Sequence, residues 1–338
     1  MKVLLCTDGF PTAEAALEVV LYRSWKAGTE VRVISVIEPL HDVLGRIVGI
    51  LGVDQVARKA HAKFEEGSKE VLNRYAARLS EKFGAGNVTT TLLEGRPGER
   101  IVNEAKSWNA DTIVMGAHGR NDSGDFLFGS VPEYVLSHAP CPVEILRAAS
   151  AAMMVMEIER QQPIEEDKYL IALDDSAGAQ DVMNEVLGRD WPPNPFFKVV
   201  TAIEPLPFQA YSGLGPWEGT GNEEFSELIR KTVEAEREAA TKLLENAAAR
   251  LKQTFPTAEV TTEMLEGYAK DRVLEAARDW PADLVILGSH GRRGFVQFVL
   301  GSVSKATAMH APCSVLVVRN PHLKPTVPPV APSGKSAT

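Results

Sequence analysis

The sequence predicts an α/β fold of two tandem domains, each a five-stranded, mainly parallel doubly wound sheet, and three observations point to it. Apolar runs of strand length alternate with longer amphipathic stretches, the order that builds parallel sheets with helices on both faces. A set of motifs recurs at a fixed displacement: Gly116-Ala117-His118-Gly119-Arg120 returns as Gly288-Ser289-His290-Gly291-Arg292, and His138-Ala139-Pro140-Cys141 as His310-Ala311-Pro312-Cys313, each 172 residues later. The chain has 338 residues, enough for two domains of about 150 residues each. The repeat is therefore a duplicated domain and not a solenoid unit.

In the first copy, Lys2 to Thr7 reads as a strand, Ala13 to Ala27 as a helix and Val31 to Ile37 as a second strand. Asp54 to Phe83 is a long amphipathic helix ended by Gly84 and Gly86, and Val88 to Leu93 is a third strand. Pro97 to Trp108 is helical, with proline in the first turn, where its missing N–H is harmless, and Ile101, Val102 and Ala105 on one face. Thr112 to Met115 is a short buried strand, Val131 to Ser137 a helix and Val143 to Leu146 the last strand. Nearer the start of each copy the displacement is 166, matching Asp8 with Asp174 and Ile37-Glu38-Pro39-Leu40 with Ile203-Glu204-Pro205-Leu206. The second copy thus carries a net six extra residues before its Leu265-Glu266-Gly267 turn, expected in a loop or at a helix start. Domains are expected over 1–147 and 168–320, with a linker over 148–167 and a disordered Pro-rich tail over 321–338.

Composition excludes several classes. With 45 acidic against 36 basic residues the net charge is −9, a poor match to a phosphate backbone, so no nucleic-acid partner is expected. No stretch reaches the roughly 18 uncharged apolar residues of a membrane helix, and the apolar run that opens the chain is too short for a secretory signal. Cys6, Cys141 and Cys313 form no Cys-x-x-Cys pair, which fits buried reduced thiols in a cytosolic protein better than a disulfide or metal site. No Ser-His-Asp, Cys-His or paired-carboxylate arrangement follows from the spacing, so no catalytic residue and no protein metal site is assigned. Gly334-Lys335-Ser336 imitates the end of a P-loop, but Pro329 stands where the first glycine is needed. His118 and His290 read as solvent-facing loop residues, and His138 and His310 as helix-end partners of backbone carbonyls.

The most informative spacing is Gly-x2-Gly-x9-Gly-Ser, complete as Gly116, Gly119, Gly129, Ser130 and again as Gly288, Gly291, Gly301, Ser302. Two readings stand side by side. Glycines directly after a buried strand let backbone approach a ligand without a Cβ, and a Gly-Ser pair opening a helix offers unpaired N–H groups to an anion, together a phosphate cradle. Alternatively the glycines only make a strand-to-helix turn, with Ser130 and Ser302 as ordinary N-caps.

These motifs, with Gly301-Ser302-Val303-Ser304 and the run Pro312 to Val318, closely resemble the signature of universal stress proteins, over Lys2 to Leu146 and Tyr169 to Arg319. The resemblance implies Rossmann-like domains. One branch of the family binds ATP with Mg²⁺ and another binds no nucleotide, and the complete glycine spacing marks the first. It implies that Asp8 and Asp174 contact ribose, that the backbone of Val36 and Ala202 meets adenine, and that Met115 and Leu287 precede the four motif positions, which extend to Val131 and Val303. Because single-repeat members dimerise through the last strand, it also implies an internal pseudo-dimer with pseudo-twofold symmetry, Val143 to Leu146 lying beside Val315 to Val318, and leaves room for a further homodimer.

The copies differ. The second keeps Asp174-Asp175-Ser176 where the first reads Asp8-Gly9-Phe10. Its nine-residue loop opens with Arg292 and Arg293 and holds no acid, whereas the first holds Arg120 with Asp122 and Asp125; nearby charge of this kind changes phosphate binding at the kcal/mol level. The second domain is the better expected site. The expected function is a cytosolic, ATP-binding stress-response regulator with an unknown protein partner. The alternatives are a nucleotide-free scaffold of the same fold, using the loops Leu40 to Val53 or Phe208 to Trp217, or a slow ATPase.

Overall fold

In the structure, a computed structural model that describes residues 1–39, 54–117, 128–147, 167–204, 222–291 and 300–319, the alternating pattern becomes two copies of one β-α unit. The first runs β1 (Lys2–Cys6), α1 (Pro11–Tyr22), β2 (Glu30–Ile37), α2 (Asp54–Phe83), β3 (Val88–Glu94), α3 (Pro97–Trp108), β4 (Thr112–Gly116), α4 (Ser130–His138) and β5 (Val143–Leu146). The second runs β6 (Lys168–Ala172), α5 (Gly178–Gly188), β7 (Phe196–Ile203), α6 (Asn222–Thr254), β8 (Glu259–Glu266), α7 (Ala269–Asp279), β9 (Leu284–Gly288), α8 (Ser302–His310) and β10 (Ser314–Val318). The loops 40–53 and 208–217, the predicted tail and all but residue 167 of the predicted linker lie outside the described residues.

One ten-stranded sheet results, in the order β3-β2-β1-β4-β5-β10-β9-β6-β7-β8. Every pairing within a half is parallel, and β5 meets β10 antiparallel, with Val315 opposite Ile145 and Val317 opposite Val143. The central strands are largely apolar because both faces are covered, Glu144 of β5 being a buried exception. Successive residues of β1 show it: Leu4 and Cys6 face a core formed with α3, α4, α7 and α8 that spans both halves, whereas Val3 and Leu5 face α1 and α2. A third core lies under α5 and α6.

One expectation is corrected. Helix α1 begins at Pro11 and stops at Tyr22, five residues before Ala27, because Arg23 turns into an extended conformation and Trp25 Nε1 donates to the Val20 carbonyl at 2.8 Å, closing the helix end. At the 172-residue displacement α2 and α6 end within a residue of each other, and α6, described from Asn222, begins earlier than the equivalent of Asp54.

All three cysteines are buried free thiols. Burial pushes Cys141 and Cys313 up to about 12 and Cys6 higher still. At pH 8 a thiol with a pKa of about 12 is ionised to on the order of one part in ten thousand, against about a quarter for a free cysteine. We therefore expect iodoacetamide to leave the folded chain unlabelled at pH 8 and to modify all three positions in denaturant, as read by mass spectrometry; rapid labelling of the folded chain would contradict their burial. Among the described residues no helix is long and apolar enough to cross a membrane.

Candidate functional site

The strand order places β1 beside β4 and β6 beside β9, and the helices that follow each pair of neighbours leave on opposite faces of the sheet. Such a topological switch point opens a crevice at the carboxyl ends of the two strands. The described site residues gather there. Asp8 and Asp174 lie two residues beyond β1 and β6, Val36 and Ala202 near the ends of β2 and β7, Met115-Gly116 and Leu287-Gly288 at the ends of β4 and β9, and Gly129-Ser130-Val131 and Gly301-Ser302-Val303 at the starts of α4 and α8. Gly119, Arg292 and the loops around them, including the charges that distinguish the copies, lie outside the described residues.

Asp174 is half-buried, and its Oδ1 accepts the Ser176 backbone N–H at 3.2 Å and the Ser176 hydroxyl. Its other oxygen, Oδ2, lies 2.7 Å from where a Cβ on Gly291 would sit. Real Cβ atoms do not approach that closely, so a side chain at 291 would make either this carboxylate or the loop after β9 shift. In the first half Asp8 Oδ1 accepts the Phe10 N–H at 3.1 Å. Met115 and Leu287 are 5% and 3% exposed, so their side chains belong to the core floor of the crevice and only their backbone faces it.

The helix starts correct one of the two readings of the glycine motif. Gly129 and Gly301, not the serines, are the N-caps, both extended and both without a side-chain cap, and Ser130 and Ser302 are exposed first-turn residues. The N–H groups of Gly129 and Gly301 fold back onto the carbonyls of Ala117 and Ser289, at 3.1 and 2.8 Å. The next N–H groups of each helix thus carry no side-chain partner, a setting that favours an anion. In the second half Ser304 Oγ also donates to the Gly288 carbonyl at 2.6 Å; Pro132 stands at the equivalent position of the first.

One difference between the halves escaped the sequence reading. Thr12 in α1 and Gly178 in α5 are equivalent by the 166-residue displacement. A Cβ on Gly116 would meet Thr12 Cβ and Oγ1 at 2.9 Å, so that glycine is demanded by helix packing; a Cβ on Gly288 meets nothing closer than 3.4 Å. The end of β9 is thus less tightly packed than the end of β4. We expect Gly116→Ala to cost about 1–3 kcal/mol, the usual penalty of overpacking, and Gly288→Ala to stay within about 0.5 kcal/mol in urea unfolding. Equal costs would remove this distinction. The available signal was the displacement itself, which sets Gly178 against Thr12.

Other expectations resolve similarly. His138 Nδ1 pairs with the Tyr134 carbonyl at 2.8 Å and its ring stacks on Tyr134, as a helix-end histidine should. His290, expected to face solvent, is half-buried, with Nδ1 2.9 Å from Ser289 Oγ. Among the described residues no group of three or more His, Cys, Asp or Glu side chains could hold a metal ion. A cavity of about 440 Å³ lies between β7 and α6, lined by Asp175, Thr201, Ile203, Thr232, Glu236 and Leu243 among others. Its lining includes the chain neighbours of Asp174 and Ala202 but none of the predicted site residues themselves.

Comparison with known proteins agrees with this architecture. The family model described as Universal stress protein family matches residues 1–147 and again 167–319. A universal stress protein of Thermus aquaticus is 32% identical over 148 residues, covering 43% of this chain and 97% of its relative. One of Mycobacterium bovis is 22% identical over 349 residues, covering 97% of this chain and 98% of its own length. The crystal structure of a universal stress protein from Archaeoglobus fulgidus superposes with a TM-score of 0.54 at 19% identity, over 94% of this chain and 98% of that one, a likeness of fold.

Proposed function

Because the chain belongs to the universal stress protein family, we propose that it binds ATP, with Mg²⁺, at the carboxyl edge of its second half and more weakly at its first, and that occupancy regulates its choice of protein partner in a cytosolic stress response. The reading rests above all on Gly291 and Asp174. A glycine at which a Cβ would fall 2.7 Å from a carboxylate oxygen brings backbone N–H groups and an acceptor for sugar hydroxyls to one point. The uncapped start of α8 lies beside it, suited to phosphate.

In this reading Asp174 receives the ribose hydroxyls, the Ala202 backbone faces adenine, and Gly288, Gly291, Gly301 and Ser302 surround the phosphates. Asp8, Val36, Met115, Gly116, Gly119, Gly129 and Ser130 form the lesser site, where Thr12 packs tightly on Gly116. Mg²⁺ would be held chiefly by phosphate oxygens and water, its usual manner with nucleotides. The units that carry the two sites are proposed as domains 1–147 and 168–320.

The test is the nucleotide content of gently purified protein, by chromatography of the denatured supernatant, together with calorimetric titration by ATP and Mg²⁺. Retention of adenine nucleotide, or saturable heat, is expected. Protein that carries none and gives no heat would sink the proposal.

A further inference from the structure

The two halves meet along β5 and β10, and the pseudo-twofold axis relating them passes between Glu144 and Leu316, which are paired in register and displaced by 172. On the face covered by α3, α4, α7 and α8 the apolar core crosses this seam unbroken. On the other face two separate cores stop on either side of it, and between them lies Glu144, 0% exposed. Its Oε2 accepts Arg23 Nη1 at 2.5 Å and Arg189 Nη1 at 3.3 Å. Arg23 and Arg189 are themselves equivalent, displaced by 166. Each follows a helix end closed in the same way, by Trp25 Nε1 on the Val20 carbonyl and Trp191 Nε1 on the Val186 carbonyl, both at 2.8 Å. One arginine from each half thus reaches a single carboxylate on the axis.

The opposite face repeats this asymmetry. Glu133 on α4 and Lys305 on α8 are displaced by 172 and pair across the seam at 2.6 Å. Both arrangements suit one pairing only. If β10 met the β10 of a second copy, Leu316 would face Leu316, each of two copies of Arg189 would lose Glu144 and keep only Glu185 of the preceding helix, and Lys305 would face Lys305. If β5 met another β5, Glu144 would face Glu144 and Glu133 would face Glu133. A buried charge that has lost one of its counterions is destabilising, whereas the exposed pair contributes little beyond choice of partner.

We propose that Glu144, shared by Arg23 and Arg189, makes each half of this chain the specific partner of the other and bars the corresponding edges of a second copy. Repulsion in the wrong pairings discriminates as much as attraction in the right one. The buried carboxylate therefore selects the partner, and the apolar core on the opposite face supplies most of the adhesion.

The test moves the carboxylate across the axis in the full chain, with amide hydrogen exchange of Val143, Ile145, Val315 and Val317 as the readout and light scattering to follow self-association. Glu144→Leu removes the carboxylate that Arg23 and Arg189 share and leaves Arg189 with Glu185 alone, and protection of the seam amides is expected to fall at least about tenfold. Glu144→Leu combined with Leu316→Glu places the carboxylate on the other strand at the equivalent point, within reach of the same two arginines. The combined variant is expected to recover protection to within about threefold of the natural chain and to remain the same size in solution. A Glu144→Leu chain as protected as the natural one overturns the proposal. So does a combined variant no better protected, or no better folded, than Glu144→Leu alone, since a carboxylate needed only within its own half gains nothing from the exchange.

Discussion

Substituting Gly291 with valine should weaken ATP binding by the second half about 30- to 150-fold, equivalent to ~2–3 kcal/mol at 1.4 kcal/mol per factor of ten. The Cβ would fall 2.7 Å from Asp174 Oδ2, so either the carboxylate leaves the position that ribose requires or the loop lifts away and takes its N–H groups with it. Gly301→Val acts on the same site by another route, because its Cβ would come 3.1 Å from the Ser289 carbonyl, the acceptor that anchors the start of α8. Together the two substitutions should abolish retention of nucleotide. Gly188→Ala is the control, since a Cβ there meets nothing within 4 Å. Calorimetry with ATP and Mg²⁺ provides the affinities, and circular dichroism confirms that the variants remain folded. A folded Gly291→Val chain that binds ATP as the natural chain does would place the nucleotide elsewhere or nowhere.

Acid should open the seam between the halves before other causes unfold them. Burial pushes the Glu144 carboxyl up, but the guanidiniums of Arg23 and then Arg189 more than offset it and hold the folded group below the ordinary carboxylate range. A carboxyl lowered in this way stabilises the fold fully above its unfolded pKa, about 4.3, and loses that contribution as pH falls toward the folded value. Breaking a buried ion pair from one side costs about 3–5 kcal/mol. We expect the natural chain to exceed Glu144→Gln in urea stability by about that amount at pH 7 and the gap to close below about pH 4. The comparison cancels the carboxylates common to both proteins. Asp167, raised by burial despite the Tyr169 hydroxyl and Arg23, and Glu185, which accepts Arg189 Nε at 2.8 Å, flank the triad and are among them. A gap that stays constant from pH 7 to pH 3 would show that Glu144 is not the titrating group.

Much of this molecule is legible without its structure because the relevant signals are local. The limits of α2, α3 and β5 follow from Gly84, from Pro97 and from the short apolar run Val143 to Leu146, each punctuated within a few residues of itself. The candidate crevice is legible too, because Gly116, Gly288 and their partners follow buried strands at a spacing that repeats. What escaped depends on residues distant in sequence. Arg23, the residue at which α1 ends, donates to Glu144, 121 residues away. The serines of the motif read as caps, yet the chain bends one residue earlier because Gly129 and Gly301 return to the carbonyls of Ala117 and Ser289.

The sequence by itself determined the duplication, the α/β alternation and the family, since periodicity, glycine spacing and displacement are all properties of the chain as a string. Only the tertiary structure decided how the halves differ and why they choose each other. Thr12 packs tightly on Gly116 where Gly178 leaves room beside Gly288, and Arg23, Glu144 and Arg189 converge across the seam. Those are matters of steric contact and of charge buried together, and both depend on which side chains the folded sheet brings within a few ångströms of one another.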